Sequence, residues 1–336
     1  MIKEAVAKLV ENQNLTFEEA RDCMHDIMSG EVSQTLISAY LVALRMKGET
    51  IDEISGSAQG MREMGILLKN DDKLLEIVGT GGDKANTFNV STTSAFVATA
   101  AGVKVAKHGN RGVSSKSGAA DVLEAMGANI AIEPERAKQV LDETGFTFLF
   151  AQKYHTAMKY VGPVRKELGI RTIFNILGPV TNPARATMDI VGVYDESLVD
   201  PIAQVLRKLG ATRTMVVYGQ DVMDEISASA KTTVCEIRED ETRKYEIDPR
   251  KYGFELCEKS DLEGGDGAEN AEITKGILSG KITGPKRNAV VLNSAACIYI
   301  YYDGISYAEA IKMAEEIIDS GKAMEKLEEY IKATNN

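Results

Sequence analysis

LLEIVGTGGDKANTFNVSTTSAFVATAAGVKVAKHGN, residues 74–110, decides how this chain folds. Leu74 to Val78 is an apolar run of strand length, followed at once by the turn Gly79-Thr80-Gly81-Gly82-Asp83. Residues 91–101 are small and apolar, which suits a closely packed helix, and Gly102 ends it. Val103 to Ala106 reads as a second strand. Strand, loop, helix and strand in that order make a βαβ unit and imply a parallel sheet.

The alternation continues beyond this unit. Ser117 to Met126 predicts a helix, Asn129 to Ile132 a strand, Pro134 to Thr144 a helix with proline in its first turn, and Phe146 to Phe150 a strand. A helix-rich stretch runs from Thr156 to about Leu177. Strands at 188–194 and 214–218 flank a helix at 197–209, and 233–239 with 243–248 read as a hairpin. Helices at 270–279, 287–300, 306–320 and 322–333 close the chain. On the N-terminal side the pattern is helical throughout. Ile2 to Val10 has helical spacing, and Thr16-x-x-Glu19 is a capping box opening a helix that Gly30 stops. Residues 33–47 and Ile51 to Met64 complete four helices with no strand between them.

A length of 336 residues fits about two domains, and 44% apolar with 26% charged residues is a globular mix. Lysine and arginine number 39 against 50 acids, a net charge of −11. Such a chain is a poor general binder of nucleic acid or of an anionic membrane. Cys23, Cys235, Cys257 and Cys297 form no CxxC, and with three histidines they do not suggest a structural zinc site. They read as reduced thiols of a cytoplasmic protein. No apolar run reaches membrane-spanning length, and the charged N-terminus does not resemble a signal peptide.

The chemistry concentrates in a few places. The glycine-rich turn lets backbone approach a ligand, and Asn89, Ser91, Thr92 and Thr93 mark a helix start, a ready anion site. The spacing is neither G-x-G-x-x-G nor a P-loop. Lys84 to Ala120 contains no acid, where the average density would place five or six, yet it carries Lys84, Lys104, Lys107, His108, Arg111 and Lys116. KHGNRGVSSKSG offers cations, hydroxyls and backbone N–H groups together, which suits a phosphate ester. Asp224-Glu225 follows the strand at 214–218, a place where paired carboxylates can hold Mg2+ beside a phosphate; a plain acidic surface pair is the alternative. Arg165 and Arg171 lie near apolar residues and could clamp a carboxylate or form salt bridges. No nucleophile elbow is present, so the set favours catalysis by positioning and electrostatics.

GTGGD at 79–83, NTFNVST at 86–92, KHGNRGVSSKSG at 107–118, MKYVGPVRKELGIRTIFNILGP at 158–179 and DEIS at 224–227 resemble the anthranilate phosphoribosyltransferase family, in order along most of the chain. The resemblance implies an α/β fold: a small helical domain plus a larger α/β domain with a central, mostly parallel sheet. The expected boundaries are 1–70, completed by helices from about 156–183, and 71–155 with 184–336. It implies a homodimer formed through the helical domain. The implied reaction joins anthranilate to phosphoribosyl pyrophosphate (PRPP), releasing pyrophosphate, in tryptophan biosynthesis, with Mg2+ as cofactor.

Position by position, the resemblance implies that Gly79, Gly82, Asp83, Thr87, Asn89, Val90, Ser91 and Thr92 cradle PRPP. Lys107, His108, Gly109, Asn110, Arg111, Gly112, Val113, Ser114, Ser115 and Ala119 would form the second wall. Gly79, His108, Asn110, Arg165, Gly178 and Pro179 would receive anthranilate, and Ser91, Asp224 and Glu225 would hold Mg2+. Lys107, Asn110 and Arg165 are the implied catalytic residues. The chain departs from the family at Ala119, where serine is frequent, at Gly112, and at Thr156, where proline is frequent. A pyrimidine nucleoside phosphorylase is the nearest enzymatic rival, a transferase for another aromatic amine a second, and a silent nucleic-acid-binding relative a third.

Overall fold

The computed structural model describes residues 1–112, 115–239 and 241–336. The chain opens with four helices, α1 (Ile2–Val10), α2 (Phe17–Ser29), α3 (Gln34–Lys47) and α4 (Ile51–Met64). Their ends are written locally. Thr16 accepts the N–H of Glu19 at 3.2 Å while Glu19 accepts that of Thr16 at 3.0 Å, and Thr50 and Glu53 repeat the box on α4. Gly30 ends α2 at φ +83°. Helices α2 and α4 lie almost backbone to backbone. A Cβ on Gly56 would sit 2.1 Å from the Phe17 carbonyl, and one on Gly60 2.6 Å from that of Arg21.

Seven strands form one sheet: β1 (Leu75–Gly79), β2 (Val105–Gly109), β3 (Phe146–Phe150), β4 (Met188–Gly192), β5 (Arg213–Gly219), β6 (Thr232–Arg238) and β7 (Glu241–Ile247). Their order is β3-β2-β1-β4-β5-β6-β7. The first five are parallel, and β6 and β7 are an antiparallel hairpin. Side chains alternate between the two faces. Met188, Ile190, Met215 and Val217 join a core with α5 (Val90–Ala100) and the helices Pro285–Tyr301, Tyr307–Asp319 and Lys322–Thr334. Val191, Val193 and Val216 face the other way, into a core shared with the helix Val199–Lys208 and with α1–α4.

Asn129 to Ile132 is not a strand. Ile130 and Ile132 are buried, which produces the alternation, but the backbone there bonds to side chains: Asn129 N–H to Thr334 Oγ1 at 3.1 Å, and Ala131 N–H to Asn129 Oδ1 at 3.1 Å. The stretch 156–177 is broken into a 3-10 turn, Thr156–Tyr160, and two short helices, Gly162–Leu168 and Phe174–Leu177. Val161, Val164, Ile173, Phe174, Ile176 and Leu177 pack it against α1–α4.

Two features place a cleft at the C-terminal ends of the parallel strands. Strand order reverses between β1 and β4, the switch point at which open α/β sheets bind ligands. In addition, β1 and β2 pair at Leu75 and Val105 only, whereas β1–β4 and β2–β3 each pair at five positions. Side chains take up the backbone groups left between the parting strands. Lys107 Nζ donates to Ile77 O at 2.5 Å, Asn182 Nδ2 to Ala106 O at 2.8 Å, and His108 N–H to Glu76 Oε1 at 2.8 Å.

Candidate active site

The turn after β1 and the segment after β5 meet directly above the switch point. Asp224 Oδ2 accepts the N–H of Gly81 at 2.6 Å, and the Asp224 N–H donates to Asp83 Oδ2 at 3.3 Å. The contact is possible because two strands end in glycine. A Cβ on Gly79 would lie 2.4 Å from Asp224 Oδ2, and one on Gly192 would lie 1.6 Å from the Asp224 carbonyl. Gly192 is a site-shaping residue that the motifs do not reveal. Its only signal in the sequence is a glycine inside an apolar strand, which often marks close backbone approach.

Helix α5 begins beside this turn. Its N-terminus is capped from across the sequence: Glu225 Oε1 accepts the Ser91 N–H at 3.2 Å. Asn89, the residue at the cap position, instead ties the start of α5 to the second wall, donating to Ser117 O at 3.3 Å and accepting from Ser117 Oγ at 3.3 Å. Lys107 Nζ, buried beneath, donates to Ser91 Oγ at 3.2 Å as well as to Ile77 O. Val90 and Thr92 are buried in the helix, and the Thr92 hydroxyl has no partner. Thr87 pairs with Glu263 across an isolated bridge.

Desolvation raises Asp224 well above the usual carboxylate range, with Asp83 and Glu225 adding repulsion, and pushes Glu225 up to about 7 against the pull of Lys107. Burial pulls the Lys107 ammonium down. A buried carboxylate, a partly buried one beside it and a serine hydroxyl are a donor set that a hard divalent cation would relieve. No group of three or more His, Cys, Asp or Glu side chains among the described residues converges to hold a metal by itself. That set fits Mg2+, which takes one or two carboxylates and completes its shell with water and phosphate oxygens.

The second wall follows β2. Asn110 is exposed, with its Oδ1 accepting from Arg111 N–H at 2.8 Å and Gln152 Nε2 at 3.3 Å. Arg111 turns away to Asp121 and Glu124, at 3.0 and 2.8 Å. The acid-free stretch is therefore partly neutralised by acids beyond it, and Lys104 is likewise paired with Asp72 at 2.6 Å. Gly112 N–H donates to Asp121 Oδ2 at 2.8 Å, and a Cβ there would come within 2.7 Å of the Ser115 carbonyl. Ala119 lies against Gly109, where an added Cβ would be 3.1 Å from its own. Val113 and Ser114 lie outside the described residues.

The third side comes from the broken helical stretch. His108 Nδ1 is 3.3 Å from Gly178 O, so β2 touches the Gly178-Pro179 turn. Burial holds the His108 imidazole neutral, down to about 3, helped by the neighbouring His155 ring at 5.1 Å. Arg165 is half-buried over the Phe174 ring, 5.5 Å from its centroid, and no carboxylate pairs with it among the described residues. Burial lowers its guanidinium pKa. Arg171 crosses the opening, stacking 3.9 Å over Tyr194 and donating to Gly82 O at 2.6 Å.

Known proteins share this fold. Residues 71–324 match the glycosyl transferase family α/β domain, and residues 3–65 match its helical bundle domain. An anthranilate phosphoribosyltransferase of Methanobrevibacter smithii is 58% identical over 336 residues, the whole of both chains. The crystal structure of anthranilate phosphoribosyltransferase from Thermus thermophilus superposes with a TM-score of 0.94 at 41% identity, covering 99% of each chain. That from Saccharomyces cerevisiae in complex with PRPP and Mg gives 0.92 at 30% identity, over 99% of this chain and 98% of the other. Sequence and three-dimensional likeness thus agree from end to end: the chain belongs to the anthranilate phosphoribosyltransferase family.

Proposed function

We propose that the chain transfers the 5-phosphoribosyl group of PRPP to the amine of anthranilate and releases pyrophosphate. The observation that carries this reading is the start of α5 held between the 79–83 turn and the Asp224–Glu225 pair; a half-buried Arg165 that pairs with no carboxylate among the described residues supplies the cation for the opposite side of the cleft. One side of such a cleft suits an aromatic carboxylate, the other a magnesium-bound pyrophosphate.

Asp224, Glu225 and Ser91 would hold Mg2+, which when bound supplies positive charge to the pyrophosphate oxygens. The N–H groups of the 79–83 turn and of the first turn of α5 bind and orient PRPP. Lys107 adds a positive field from beneath as the leaving group gains charge. The aryl amine is already neutral near pH 7 and needs little base, which fits a neutral His108. Arg165 holds the anthranilate carboxylate and Asn110 orients the amine towards C1. Gly178 and Pro179 close the aromatic end. Gly109, Gly112, Ser115 and Ala119 line the PRPP wall, where the alanine lacks one hydroxyl contact.

Residues 1–70 with about 156–183 act as one body, and 71–155 with 184–336 as the other, closing on the substrates. Arg62 links them, donating across to Leu209 O at 3.2 Å while its bond to Val180 O at 3.0 Å stays within the first body. Exposed Val10, Met46, Ile51 and Met64 on the helical bundle support a homodimer formed there. Four free thiols fit a cytoplasmic protein, and no helix among the described residues is long and apolar enough to cross a membrane. The test is stoichiometry: pyrophosphate should appear in a one-to-one ratio with anthranilate consumed. Phosphorolysis of a pyrimidine nucleoside without such turnover would contradict the assignment.

A further inference from the structure

Asn293 lies in the middle of the helix Pro285–Tyr301 and is fully buried among Val290, Leu292 and Ala296. A carboxamide there is costly unless its polar atoms are satisfied. Its Oδ1 accepts the Ile226 N–H at 3.0 Å, and its Nδ2 donates to the Ile226 carbonyl at 2.9 Å and to Ala289 O at 2.9 Å. Both backbone groups of one residue are therefore held by one side chain, as a neighbouring strand would hold them. Ile226 has no such strand, because residues 224–228 are irregular. It is also the residue directly after Glu225.

The remainder of this segment is fastened away from the carboxylate pair. Gly219 N–H donates to Met223 O at 2.8 Å, and Ser227 N–H donates to Thr232 Oγ1 at 2.9 Å. Ser227 Oγ and Ser229 Oγ both donate to Asp221 Oδ2. Between these fixed ends, Asp224 and Glu225 point to the 79–83 turn and to α5. Their placement depends on where Ile226 is pinned.

We propose that Asn293 is a positioning residue for the reaction: it clamps the Ile226 backbone and so sets the Asp224–Glu225 pair against the start of α5. The inference rests on the reading of that pair as Mg2+ ligands. Asn293 touches neither substrate, so it acts through its neighbours.

Asn293→Leu keeps the branched shape and removes the clamp; Asn293→Ser serves if the bulkier leucine variant does not fold. In the metal-free protein, amide hydrogen exchange should quicken at residues 224–228 and at the Ser91 N–H that Glu225 caps, and stay unchanged in the later turns of α5. Calorimetric titration of PRPP at stepped Mg2+ should show about tenfold weaker Mg2+-dependent binding. The KM for anthranilate should not move. Wild-type exchange and wild-type Mg2+ dependence in a folded variant overturn the inference. So does uniformly faster exchange across the α/β core, the mark of general packing loss. An Asp224→Asn/Glu225→Gln double variant is run in parallel. If it leaves the Mg2+ dependence unchanged, the metal reading itself fails. If it impairs the dependence while the Asn293 variants do not, only the positioning role fails.

Discussion

In the proposed reaction, Arg165 is the residue on which the choice of acceptor would turn. Its guanidinium is half out of water, stacked on Phe174, and pairs with no carboxylate among the described residues. A desolvated cation without a partner is well prepared for an anionic ligand. Replacing it with alanine removes charge-assisted bonds worth about 1.5–3 kcal/mol, a factor of about 10 to 100. Arg165→Ala should raise the KM for anthranilate by that factor and leave PRPP binding near the wild-type value; steady-state kinetics with each substrate varied will show it. An unaltered anthranilate KM would remove Arg165 from the pocket. Candidates of this kind can be named from the sequence because motif and chemistry coincide: a basic residue in an apolar stretch, an acidic pair after a strand, a run of glycines. Glu76, Gly192 and Asn293 cannot. Each acts on a partner far away in sequence, His108, Asp224 and Ile226 respectively, and nothing in the local pattern names the partner.

Among elements, helix boundaries followed local signals closely. α1 and α4 occupy the residues their spacing predicts, and the Thr16 box forms as expected, while the structure adds a second one at Thr50. Asn129 to Ile132 shows the limit of such reading, since buried isoleucines two apart also arise in a connection whose backbone bonds to side chains. The start of α5 shows a second limit: a run of capping residues marked its position, but the remote Glu225 provides the cap. Element stability can hinge on equally remote contacts. Glu53 is fully buried at the start of α4, accepting from Leu15 N–H at 2.9 Å, Thr50 N–H at 2.8 Å and Lys47 Nζ at 2.9 Å. Lys47 and Glu53 have side-chain exposures of 4% and 0%, so solvent screens the pair little. Glu53→Ala leaves two amides without an acceptor and the Lys47 ammonium without its counter-charge, with only Asn14 Oδ1 and Gly48 O still accepting from it, and should cost about 3 kcal/mol, read from urea unfolding. A loss below 1 kcal/mol would mean that water reaches Lys47 once the carboxylate is gone.

At the scale of the whole molecule, the sheet and the helical bundle meet at a buried polar seam. His155 Nε2 donates to Thr181 O at 3.1 Å beside Arg62, and its Nδ1 has no partner. Burial, with Arg62 adding to it, holds His155 down to about 4, whereas an unfolded histidine titrates near 6.5. Above pH 6.5 both states are neutral and the group contributes no pH dependence. Below it the unfolded chain takes up the proton first, so stability falls as pH falls towards 4. Relative to His155→Gln, the wild type should lose about 1.4 kcal/mol of unfolding free energy per pH unit across that window. Parallel pH profiles of the two proteins would contradict a buried neutral His155. The difference between the proteins is the quantity to read, because buried Glu76, pushed up to about 7, titrates in the opposite sense.

The overall architecture was legible because the βαβ alternation and the uninterrupted helical start each have a simple period. The parting of β1 from β2 was not, since it depends on Lys107, Glu76 and Asn182 replacing strand-to-strand bonds. That parting and the order reversal beside it create the cleft at which the glycine turn and the acidic pair meet. The claim that this cleft performs phosphoribosyl transfer is tested most directly by anthranilate fluorescence with enzyme, Mg2+ and PRPP, each omitted in turn. The account predicts a decay that requires all three. A stable signal in the complete mixture, from protein that still binds PRPP by calorimetry, would contradict it and point to a different amine acceptor.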